Sequence, residues 1–187
     1  MKIRLSFLFL FLLFIFGAEA KFRESYFEQL GDVLTLMPAF VGVVTIGIED
    51  YDGALDLALG SISTQISIEI IKRSLEFAHK KGAKVAFAKR PGFEDYKGFP
   101  SGHSGGGFSA ASFVFYRYGF KPAIAPLIGA TLTAASRVYA KKHSLLQVIA
   151  GGAIAWGFGY IFTNKYNVKP ALELRDSGLS FNFGYSF

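Results

Sequence analysis

Apolar positions along the chain fall into blocks separated by short polar breaks. Residues 5–16 form an almost unbroken apolar run. Lys2 and Arg4 precede it, and Ala18-Glu19-Ala20 follows it, the small-residue pattern at which signal peptidase cuts. Residues 1–20 therefore read as a signal peptide, with an uncleaved first membrane helix as the alternative. Either sends the chain into or across a bacterial inner membrane. Residues 21–31 are polar and mixed, an amphipathic lead-in. Residues 33–48 are apolar, broken by small residues and Pro38, and residues 49–53 read as a turn. Residues 54–71 predict a second apolar helix that carries Asp56, Gln65 and Glu69; charges in such a segment face other helices or a polar cavity. Residues 72–107 collect basic side chains and then Gly and Pro, which predicts a loop region at the membrane surface. A helix is expected from about Ser104 to Phe115, another over residues 122–137, and a third over residues 144–162. The last has Gly151, Gly152, Gly157 and Gly159, which let neighbouring helices approach closely.

Beyond Asn164 the period changes. From Leu179 to Phe187 apolar residues recur at nearly every second position, a strand signal. The ending resembles the last strand of outer-membrane barrels, but one strand cannot make a barrel, so a short terminal hairpin or membrane-edge strand is expected. The chain divides into residues 1–20, a helical domain over 21–163, and a tail with a strand over 164–187. The fold class is all-α, a membrane-associated bundle of about five or six helices with a short C-terminal β-strand.

Composition supports the membrane. Apolar residues make up 51% and charged residues 18%, against about 25% charged in a soluble domain. The net charge of +6 suits anionic lipid head groups or phosphates. No basic run is interleaved with aromatics on a polar surface, so nucleic acid is not an expected partner. Cysteine is absent, which excludes disulfides and thiolate metal sites.

Three segments bring Arg or His to a predicted helix end: Lys89-Arg90-Pro91-Gly92, Phe99-Pro100-Ser101-Gly102-His103-Ser104, and Ser136-Arg137 with His143. Guanidinium forks bind phosphoryl oxygens bidentately. N–H groups at a helix N-terminus add fixed donors, and the Ser101 hydroxyl adds one more. Imidazole serves as nucleophile or as acid near neutral pH. Two His and two Arg on three loops at one membrane face supply what metal-free hydrolysis of a phosphate ester requires. His79 fits no such pattern and reads as a solvated residue.

Taken together these segments resemble the type 2 phosphatidic acid phosphatases, a family that includes bacterial acid phosphatases and vanadium haloperoxidases. That family carries K-x6-R-P, P-S-G-H and S-R-x5-H-x3-D. Arg90-Pro91, Pro100 to His103, and Ser136-Arg137 with His143 match it within roughly residues 50–165. The arrangement is nearest to small bacterial periplasm-facing members, lipid A phosphatases among them. The resemblance implies an acid phosphatase/haloperoxidase-like fold, a lipid phosphate substrate in a bacterial membrane, an active site facing the periplasm, and no metal or other cofactor. It implies His143 as the nucleophile that becomes phosphohistidine and His103 as the general acid. Arg90, Arg137, Ser101 and the Gly102 N–H would hold the phosphoryl oxygens, with Ser136 nearby.

Two positions depart from the pattern. Seven residues before Arg90 stands Ala83, so the phosphate-binding lysine falls to Lys72 or Lys84, with Lys72 favoured. Gln147 stands where the family has the Asp that orients the nucleophile. If His143 and Gln147 share a continuous helix, their spacing of four puts them on one face, and the amide can orient the ring without charging it. Two alternatives stay open: a soluble periplasmic acid phosphatase, and a catalytically weak lipid-binding member.

Overall fold

The computed structural model describes residues 25–166, together with the backbone of residues 168–175 and 178–185. The expected signal peptide or first helix over residues 1–20 lies outside the described residues. Among these, six α-helices follow one another: α1 (Tyr26–Leu34), α2 (Met37–Gly47), α3 (Tyr51–Lys80), α4 (Gly102–Tyr118), α5 (Phe120–Tyr139) and α6 (Leu145–Phe162). A short 3₁₀ turn at Ala86–Ala88 interrupts the long loop before α4. The expected C-terminal strand is present as Gly178–Tyr185 (β2). It pairs antiparallel with Val168–Arg175 (β1) in a two-stranded hairpin, Val168 opposite Tyr185 and Arg175 opposite Gly178.

The largest departure from expectation is α3. Residues 72–80, expected as surface loop, continue the helix. Charge density was the misleading signal. Lys, Arg and Glu are good helix formers, and Glu69–Arg73 (2.7 Å) and Glu76–Lys80 (3.3 Å) pair across one turn, the spacing that supports a helix surface. The helix begins where the Asp50 carboxylate accepts the Gly53 N–H at 3.0 Å, an N-cap. It gives way at Gly82, whose φ of +91° turns the chain back.

The bundle is built small-side-in. α4 is its centre, packed against α3, α5 and α6. Its buried positions are mostly Ser, Gly and Ala, including Ser104 to Gly107 and Ser109 to Ser112. Hydroxyls there are satisfied at short range: Ser109 bonds the Gly105 carbonyl at 2.8 Å, and Ser104 reaches across to the Val148 carbonyl of α6 at 2.6 Å. Leu57, Phe113 and Val114 form a small apolar cluster inside, but many large apolar residues point outward. Leu55, Leu59, Ile62, Ile66 and Ile70 form an exposed stripe along α3, and Phe120, Ile124, Ile128 and Leu132 form one along α5. In water such stripes would carry a heavy hydration cost. In lipid, tight small-residue contacts inside and bulky apolar side chains outside are the stable arrangement. α3 and α6 are each long and apolar enough to cross a membrane, and the α1–α2 pair, bent by 42°, passes the same test as a broken span. The molecule is a membrane helical bundle.

Both ends of α4 are tied down. At its C-terminal end Arg117 and Tyr118 converge on Asp50, with Arg117 Nε at 2.8 Å and the tyrosine hydroxyl at 2.6 Å. Arg117 also donates to the Asn164 carbonyl at 2.9 Å. This buried cluster pins the start of α3 and the exit of α6. The N-terminal end carries the candidate site.

Candidate active site

Ser101 caps α4, its hydroxyl accepting the Ser104 N–H at 3.4 Å. The Pro100–His103 turn is clamped onto the first turns of α6: the Ser101 N–H donates to the Gln147 carbonyl at 2.8 Å, and a Cβ at Gly151 would lie 2.2 Å from the Ser101 carbonyl. Only glycine at 151 lets α6 come so near. Gln65 of α3 donates to the Gly102 carbonyl at 3.1 Å from the other side. The positive end of a 17-residue helix is thereby fixed and left facing the space between the loops.

Around that helix end the chain gathers cations. The extension of α3 brings Lys72 beside Gly102, its Nζ 3.5 Å from where a Gly102 Cβ would stand. Lys84 instead lies exposed in the segment after α3. Arg90 approaches from the loop; together with Lys72 it acts electrostatically on His143. Its Nε is 3.4 Å from Asp95 Oδ1 and buried without a hydrogen-bond partner. Arg137 is 1% exposed. It is held by Ser136 Oγ at 3.1 Å, the Glu28 carbonyl at 2.5 Å and Asp32 at 2.7 Å. His103 Nε2 lies 2.9 Å from the same Asp32 oxygen. Burial and the Arg137 charge hold the His103 imidazole below its ordinary value, with Asp32 opposing them. Lys72, Arg90, Ser101, Gly102, His103, Ser136, Arg137, His143 and Gln147 thus meet at one end of the bundle. Lys84 does not join them, and His79 lies apart at the end of α3, stacked on Tyr96 with ring centroids 3.5 Å apart.

His143 precedes α6 rather than lying on it, because Ser144 is the N-cap. The expectation of a shared helical face with Gln147 is therefore corrected: the two meet across a helix start. His143 Nδ1 is 2.8 Å from the Gly98 carbonyl and 3.1 Å from Gln147 Oε1. Both neighbours only accept, so Nδ1 carries the proton and Nε2 keeps its lone pair. Burial pushes the imidazole down to about 4; the Gln147 bond opposes this, and the Lys72 and Arg90 charges add to it. The lowered value favours the neutral ring, which leaves the Nε2 lone pair available.

Gln147 has a second part that its distance from His143 did not suggest. Its side chain closes a capping box with Ser144, and Nε2 donates to the Phe87 and Lys89 carbonyls, both at 2.9 Å. The S-x-x-Q spacing of Ser144 to Gln147 was the available signal. Asp32 was missed altogether, since nothing local in a mixed polar segment marks it. Among the described residues no three His, Asp or Glu side chains gather in a way that could hold a metal ion.

The PAP2 superfamily model matches residues 54–170, which include every site residue named above except Asp32 and Glu28. The chain belongs to the PAP2 superfamily. Lipid A 4'-phosphatase of Helicobacter pylori (strain J99) is 51% identical to it over 142 residues, 76% of this chain and 72% of that protein. No solved structure matches it. The three motif segments all lie within the matched residues, and α1 and α2 lie before them.

Proposed function

We propose that this PAP2 chain removes phosphate from a membrane lipid, a phosphate monoester or diphosphate of the lipid A class, at the periplasmic face through phospho-His143. The observation that carries this is the joint placement of a free imidazole lone pair, two arginines, a lysine and a helix N-terminus at one end of a lipid-facing bundle. The resemblance to a lipid A 4'-phosphatase supports the substrate class. His143 Nε2 attacks phosphorus, a P–N bond forms, and the P–O bond to the lipid breaks. His103 gives its Nε2 proton to the departing oxygen, so the lipid leaves as an alcohol. Water, deprotonated by His103, then attacks phosphorus, and phosphate departs with His143 neutral again. Arg90, Arg137, Lys72 and the Ser101–Gly102 donors balance the charge on the phosphoryl oxygens. A soluble phosphatase would need polar outer faces, which the stripes on α3 and α5 oppose.

The deciding experiment is phosphate release from a panel of lipid phosphates by the purified protein in detergent containing EDTA. Lipid A phosphate is expected to be hydrolysed, with labelled phosphate trapped on wild-type protein and lost in His143→Ala. Label retained by that variant, or activity abolished by EDTA and restored by Mg²⁺, would overturn the mechanism.

A further inference from the structure

Asp32 enters the cationic cluster from α1, outside the residues that the family model matches. Its position is set by close contact between α1 and α5. A Cβ at Gly31 would fall 1.8 Å from Ser136 Oγ, so glycine is what allows the approach. Phe27 meets Tyr139 edge-on at 5.6 Å, Glu28 pairs with Lys142, and the Glu28 carbonyl holds Arg137. One oxygen of Asp32 then lies 2.7 Å from Arg137 Nη1 and 2.9 Å from His103 Nε2. We propose that Asp32 is a positioning residue whose carboxylate bridges His103 and Arg137, favouring the protonated imidazole against the neighbouring cations and aiming it into the site until the leaving oxygen takes its place. This rests on the phosphatase function proposed above.

The charges around His103 make the need plain. Arg137 faces it from α5 and Lys72 from α3, and both favour loss of its proton; Asp32 from α1 is the counterweight. A carboxylate near an imidazole favours the charged form, a nearby cation the neutral one. Without Asp32 the two cations would act on the imidazole unopposed and favour loss of its proton. In the resting site the Nε2–H donates to Asp32. When the lipid phosphate binds, its bridging oxygen takes over that donor and receives the proton as the P–O bond breaks, while Asp32 keeps its hold on Arg137.

Asp32→Asn keeps the shape and removes the charge. The three histidines of ¹⁵N-His-labelled protein in detergent can be assigned by substitution and titrated by NMR. The His103 midpoint is expected to fall by about one pH unit in Asp32→Asn and to return most of the way in Asp32→Glu. In kinetics, the basic limb of kcat should move down by a similar amount, so that the loss of kcat grows with pH. An unchanged His103 midpoint would overturn the proposal, and so would an equal loss of kcat at every pH, which marks a merely structural part. Because the titration needs no turnover, wild-type protein that releases no phosphate would count against the lipid phosphatase function, and the coupling of Asp32 to His103 would still be decided.

Discussion

Gln147 stands where the family places an aspartate, and all of its hydrogen-bonding capacity is in use. Oε1 meets the Ser144 N–H and the His143 ring, and Nε2 meets two carbonyls of the loop that carries Arg90. The amide ties His143, the start of α6 and the loop that carries Arg90 together. Gln147→Leu strands those partners in a buried place, at about 1–3 kcal/mol each. It is expected to lower kcat/KM by one to two orders of magnitude and to reduce thermal stability in detergent. An unchanged rate would show that Gly98 alone orients the ring. An aspartate there would be one methylene shorter and would turn acceptors toward carbonyls, so the neutral amide suits this loop. The two imidazoles also set a pH window. His143 must be neutral, so the rate should fall as pH drops through about 4. His103 must be protonated, and burial with Arg137 holds it under the ordinary imidazole value of about 6.5, so the rate should fall again as pH rises toward neutrality. A profile of kcat/KM against pH is expected to be bell-shaped with an acidic optimum; a maximum above pH 7 would contradict the assignment.

Among the elements, α3 has the most bearing on the site. Its run to Lys80 puts Lys72 within the bundle beside Gly102 and leaves Lys84 beyond the helix end. Lys72→Ala should lose a charge-assisted contact of about 1.5–3 kcal/mol, a tenfold to hundredfold drop in kcat/KM, and Lys84→Ala should stay within about twofold. Equal effects from the two would undo the placement. The helices and the three motif segments were legible because each is written locally: apolar blocks, Gly and Pro breaks, a Ser cap before α4. The helical reach of residues 72–80 was hidden because charge was weighed above the Glu–Lys and Glu–Arg spacing. The first strand of the hairpin was not singled out; Lys169-Pro170 and Glu173 blur its alternation, and its partner alone reads cleanly. Asp32 was beyond reach for another reason. Its meaning depends on Arg137, 105 residues away along the chain, and no local pattern encodes a contact of that kind.

For the molecule as a whole, outward Leu and Ile with inward Ser and Gly were predictable only in part. Apolar runs were visible, but which face turned to lipid depended on how the helices met. α4 then sets a dimension. Its 17 residues at 1.5 Å each span about 25 Å, close to the thickness of a bilayer's hydrocarbon core of about 30 Å. With α4 set along the bilayer normal, the candidate site at its start and the Asp50–Arg117 cluster at its end are expected near opposite water boundaries. The chain has no cysteine, so a single introduced thiol is the sole target for a maleimide. In intact cells with a permeabilised outer membrane, a membrane-impermeant maleimide should label Lys84→Cys at the catalytic end and leave Lys121→Cys at the start of α5 unreacted until the inner membrane is opened. The reverse pattern would turn the enzyme over in its membrane. Under the proposed function, a bundle this thin would give its substrate no depth to hide in: the phosphate would be met at the level of the lipid surface, with the acyl chains still in the leaflet, so the lipid would not need to be lifted out to be dephosphorylated.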